Sequence, residues 1–169
     1  MARGEQSSAT ERKGTYPPAR QDQCRTFSFT LVRVEKNYVF DTPKGKKTLS
    51  ELFDGRSQLI VYHFMLDPGW EAGCPGCSFL SDHIDGALPH LEHHDVIWTA
   101  VSRAPLAEIE AYKKRIGWRF PWVSASGTDF NYDYHVSFTK DDLATGKVLY
   151  NFTENTRIRG RGGNGITRA

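Results

Sequence analysis

Two long runs of apolar, β-forming residues mark the middle of the chain. "QLIVYHFM" (Gln58 to Met65) and "DVIWTAVS" (Asp95 to Ser102) lack the polar alternation of a strand with one wet face. Such runs predict strands covered on both faces, as in a parallel sheet. Between them Phe79, Leu80, Ile84, Leu88 and Leu91 recur at roughly helical spacing. "APLAEIEAYKKRIG" then predicts a helix. Pro105 sits in its first turn, Leu106, Ile109 and Ile116 share a face, Glu110 can pair with Lys114, and Gly117 ends it. "RFPWVSA" predicts a third strand, and "FNYDYHVSFT" and "KVLYNFT" two more around the turn at "ATGK". Upstream, Val32, Val34 and Tyr38 to Phe40 look like strand material. "DTPKGKK" reads as a turn, and "TLSE" (Thr48 to Glu51) as a capping box opening a short helix.

Strand, helix, strand, helix, strand predicts an α/β fold with right-handed crossovers. At 169 residues the chain suits one domain. Its ends set the limits: residues 1–23 read as a disordered head, 24–153 as the domain, and 154–169 as a flexible basic tail. A net charge of +2, from 22 basic and 20 acidic residues, gives no general case for nucleic acid or anionic membrane as a partner. No apolar run approaches the roughly 18 residues of a membrane span, and the N-terminus lacks a signal-type apolar segment. A cytoplasmic, reducing setting is the expectation. Three cysteines in that setting do not suggest a disulfide framework, so a close pair points to catalysis or metal.

The pair is Cys74 and Cys77 in "GCPGCS", directly after the first buried run. That places Cys74 at the C-terminal edge of a strand, where the next helix starts and where sites of open α/β sheets gather. The helix N-terminus offers unpaired N–H groups and the positive end of the macrodipole, which favour thiolate and should lower the Cys74 pKa below about 8.5. Pro75 suits the first turn, and Cys77 follows one turn later. The expected chemistry is disulfide exchange, with Cys74 attacking and Cys77 resolving.

Three other readings compete. The thiols could be two buried hydrophobes of a non-catalytic binding module. Cys74, Cys77, His90 and His94 match the C-x2-C-x12-H-x3-H spacing of a zinc site, although Pro89 should break a helix carrying those histidines. A peroxidase of peroxiredoxin type would want a hydroxyl residue three positions before its cysteine, where this chain has Glu71. Asp67 and Glu71 could take the Cys77 proton. Trp70 could shield the pair or touch substrate. His63 reads as a core histidine, His135 as a weaker candidate near the site, and Cys24 as an idle thiol.

"VRVEKNYVFDTPKGK", "LFDGRSQLIVYHFM", "GCPGCSF", "AVSRAPLAEIEAYKKRIGWRFPWVS" and "DFNYDYHVSFT" together resemble a thioredoxin-like family catalogued as a domain of unknown function, number 899. The resemblance covers about Val32 to Tyr150. It implies a three-layer α/β/α fold around a central mixed sheet, with a C-terminal part shortened here. It also implies a dithiol–disulfide oxidoreductase using Cys74 and Cys77. Such an enzyme needs a disulfide substrate and an external thiol reductant but no bound cofactor. No proline lies around "YHVSFT", so Ser137 is expected where thioredoxins place a cis-proline. Missing strands would leave an open sheet edge, through which two copies could pair.

Overall fold

The computed structural model describes residues 32–145, 148–150 and 153–155. The expected head, Cys24 and residues 156–169 of the expected tail lie outside the described residues. The chain divides into a unit over residues 1–35 and one over 36–169. In the first, residues 32–35 form no strand, so Val32 and Val34 are not strand material here.

The second unit carries a five-stranded mixed sheet. Val39–Thr42 (β1) and Gly45–Thr48 (β2) form a hairpin at the expected "DTPKGKK" turn. Gly45 turns it at φ 105°, and the Thr42 hydroxyl donates to the Gly45 carbonyl at 2.6 Å. The capping box closes as expected. The Thr48 hydroxyl accepts the Glu51 N–H at 3.3 Å and the Glu51 carboxylate accepts the Thr48 N–H at 2.7 Å. It opens one 3-10 turn, Ser50–Phe53.

Gln58–His63 (β3), Val96–Ser102 (β4) and Trp122–Ser124 (β5) follow as parallel strands, and β1 pairs antiparallel with β5. The order across the sheet is β2-β1-β5-β4-β3. Pro75–Ile84 (α1) and Leu88–His93 (α2) connect β3 to β4, and Leu106–Ile116 (α3) connects β4 to β5. Alternation along β4 and β5 builds two cores. Trp98, Ala100 and Trp122 join Phe64, Cys77, Ile109 and Tyr112 on the face toward α1 and α3. Val101 and Val123 join Phe40, Leu52 and Phe130 on the other. The expected three-layer α/β arrangement with a mixed central sheet is thus formed.

Three sequence readings change. The first apolar run predicted a strand covered on both faces, yet β3 is the sheet edge. It pairs only with β4 among the described residues, and Ile60 is 44% exposed. Phe79 and Leu80 do not face the core: Phe79 is 68% exposed, and α1 buries Cys77 and Ser81 instead. "FNYDYHVSFT" is not a strand but a short helix, Phe130–Asp133 (α4), followed by irregular chain. Phe130, Tyr132 and Tyr134 alternate as in a strand, but the helix splits them, placing Phe130 in the second core and leaving Tyr134 exposed. Lys140–Thr145 (α5) leads to a separate antiparallel pair, Val148–Tyr150 (β6) and Thr153–Asn155 (β7), so strand backbone crosses the expected boundary at residue 153.

Candidate functional site

The site is built where β3 leaves the sheet. The Phe64 N–H still bonds the Val101 carbonyl at 2.9 Å, after which the chain makes a loop and returns. The Cys74 N–H closes that loop on the Met65 carbonyl at 3.0 Å. Gly73 makes the return feasible: a Cβ there would stand 2.7 Å from Phe64 Cζ and 3.3 Å from Tyr112 Cε1. Helix α1 is held from its far end. Trp118 Nε1 donates to Asp82 at 2.7 Å, and Asp85 accepts the Arg119 and Phe120 N–H groups at 2.7 and 3.0 Å.

Cys74 is the N-cap of α1, Pro75 is in the first turn, and the Ser78 N–H bonds the Cys74 carbonyl at 2.9 Å. Both cysteines are free thiols; Cys74 is half-buried, while Cys77 is 6% exposed. Burial pushes the Cys77 thiol up, against the opposing pull of the neighbouring Tyr62 hydroxyl and Met65 backbone. The neighbouring Cys74 adds to the upward push. Tyr62 is likewise raised, first by burial and then by its neighbour Cys77, so it stays neutral at physiological pH.

A cavity of about 360 Å³ opens beside Cys77 and is lined by Tyr62, Asp67, Trp70, Arg103 and Ser137 among others. Of the auxiliary residues expected from sequence, Asp67, Trp70 and Ser137 meet here. Ser137 is buried, in the irregular chain after α4, with its N–H on the Asn131 carbonyl at 3.0 Å. No cis peptide occurs among the described residues. Glu71 does not line the cavity: it is exposed, and its backbone carbonyl accepts from Arg115 at 2.6 Å. His63 lines the cavity, stacks on Phe130 at 5.3 Å and bonds Asn131 at 3.2 Å; burial pulls its pKa down. His135 is exposed, at φ 53°.

The zinc spacing does not assemble. No group of three His, Cys, Asp or Glu side chains is placed to hold a metal among the described residues, and His90 and His94 are exposed around α2. Pro89 is not the obstacle: it sits in the first turn of α2, where proline is tolerated, and α1 has already ended at Ile84. Sequence reasoning missed Tyr62 and Arg103. Tyr62 reads in the sequence as one more residue of an apolar strand run. Arg103 had one available signal, a basic residue just past the C-terminal end of a buried strand.

Fold and site together define an α/β protein that presents a dithiol at the start of a helix, at the C-terminal edge of its parallel strands. The chain belongs to the family described as bacterial protein of unknown function (DUF899), which matches residues 18–165. That match reaches beyond Val32 and Tyr150 at both ends. No curated protein matches the sequence significantly. Among solved structures, the chain is similar to the solution structure of a candidate protein disulfide isomerase from Bacteroides thetaiotaomicron. The identity is 23% and the TM-score 0.43, over 60% of this chain. The chain spans 64% of the length of that protein. No helix among the described residues is long and apolar enough to cross a membrane.

Proposed function

We propose that this protein is a dithiol–disulfide oxidoreductase that exchanges Cys74 and Cys77 with a protein or small-molecule disulfide. One observation carries the reading: a half-buried cysteine holds the N-cap position of a helix, and a buried cysteine follows it one turn on. The Cys74 thiolate attacks one sulfur of the substrate, the substrate S–S bond breaks, and the first thiolate leaves and takes up a proton. Cys77 then gives up its proton and attacks Cys74 in the mixed disulfide. The second substrate thiol departs, and the Cys74–Cys77 disulfide keeps the two-electron balance. An external thiol, in a reducing cytoplasmic setting, restores the dithiol; no bound cofactor takes part.

Thiol trapping across a series of glutathione ratios tests this. A Cys74–Cys77 disulfide with a midpoint between about −120 and −270 mV is expected. Two thiols that stay unreactive until denaturant is added would sink the proposal.

A further inference from the structure

The cavity beside Cys77 holds one cation and one anion that face each other without satisfying each other. Asp67 follows β3 and Arg103 follows β4, so the same sheet edge delivers both. Their side chains are 13% and 18% exposed, and Arg103 Nη1 stands 3.7 Å from Asp67 Oδ1. That distance makes an ion pair but not a hydrogen bond. The same Nη1 is buried with no hydrogen-bond acceptor. A guanidinium carries five donors, and a buried donor left unmet is costly. Tyr132 supports the guanidinium from its face, 5.3 Å from the ring centroid.

The other ionisable groups lining the cavity are neutral near pH 7. Burial lowers His63 and raises Tyr62 and Cys77. Arg103 and Asp67 are therefore the charges a ligand meets there. A ligand with one charge satisfies one of them and sets a like charge near the other. An α-amino acid head carries both charges on one carbon, side by side. Its carboxylate matches the guanidinium fork, and its ammonium matches the carboxylate. The cavity volume falls in the range of small-molecule sites.

We propose that this cavity binds the α-amino-carboxylate head of a small disulfide, carboxylate on Arg103 and ammonium on Asp67, with the disulfide running past Cys77, which lines the cavity, toward Cys74, which lies outside it. The proposal rests on the dithiol reading above for its reaction and on Arg103 and Asp67 for its selectivity. Cystine and glutathione disulfide both carry such a head, one next to the sulfur and one at the end of a longer arm.

The reduced wild-type protein is assayed with cystine, glutathione disulfide, cystamine, 3,3′-dithiodipropionate and bis(2-hydroxyethyl) disulfide. Each rate is divided by that with free dithiothreitol, because leaving-group pKa alone changes reactivity. Cystine or glutathione disulfide should exceed the all-cationic, all-anionic and neutral disulfides by about tenfold in kcat/KM. Which of the two leads identifies the arm length. Arg103→Gln should erase the preference over cystamine, and Asp67→Asn the preference over dithiodipropionate; Arg103→Lys should keep part of it. L-lanthionine, a thioether that cannot exchange, should bind the wild type in a calorimetric titration, so the answer survives even if the variants fail to fold. Equal normalised rates for all five disulfides, with no lanthionine binding, overturn the proposal. Lanthionine binding without turnover of any disulfide overturns the dithiol reading and leaves the head-group site standing.

Discussion

Tyr62 stands beside the buried Cys77 on the same cavity wall and favours its thiolate, so the buried member of the thiol pair is met by the strand that precedes it. The Met65 backbone pulls the same thiol in the same direction. Burial opposes a thiolate at Cys77, and these two neighbours are what the protein offers against that cost.

Tyr62→Phe keeps the ring and removes the hydroxyl. The Cys77 thiol should rise further, and release of a mixed disulfide on Cys74 should slow by about tenfold, as expected for losing a polar neighbour of a charged group. Acid quenching followed by mass measurement would show the mixed disulfide persisting. A release rate within twofold of wild type would leave Tyr62 with a packing role only.

The raised Cys77 also makes stability fall with alkali. An acid whose folded pKa lies above its unfolded value keeps its proton in the fold where the unfolded chain has lost it. Its contribution is therefore full below about pH 8.5 and declines as pH rises from there toward the folded value. Melting of the reduced protein should drop more steeply between pH 8 and 9.5 than melting of Cys77→Ala. Parallel slopes would contradict the raised thiol.

His63 acts at the other end of the scale. Its folded pKa is pulled down by burial, so the unfolded chain binds a proton that the fold refuses. Stability is full above about 6.5 and lost as pH falls below it. His63→Gln should flatten the melting profile between pH 6.5 and 5, read by thermal unfolding at fixed ionic strength.

Gly73→Ala should cost about 1–3 kcal/mol, because the added methyl meets Phe64 and Tyr112 inside a packed core. The loop that returns to Met65 would shift, and Cys74 with it. Denaturant titration gives the stability change, and alkylation rates of Cys74 report the displacement. Wild-type values in both would show that the loop yields freely.

Much of the site was legible in the sequence because it depends on local order. A strand run, a short loop, cysteine, proline and cysteine one turn later specify a helix N-cap with a second thiol beneath it. Thr48 and Glu51 likewise close a capping box that neighbours alone determine. The phase of α1 was less legible. Phe79 and Leu80 look like core by hydropathy, but the sheet presents its surface to Cys77 and Ser81.

The sequence by itself determined the alternation of strands and helices, the hairpin at Gly45 and the placement of the dithiol, since each follows from periodicity or backbone chemistry over a few residues. Only the tertiary structure decided that β3 stands at the sheet edge, that "FNYD" closes a core as a helix, and that Tyr62, Asp67 and Arg103 share a cavity with Cys77. The reason is physical. Strand order and side-chain convergence are set by which surfaces pack across the sheet. Residues 36 positions apart, such as Asp67 and Arg103, meet because β3 and β4 end at the same edge.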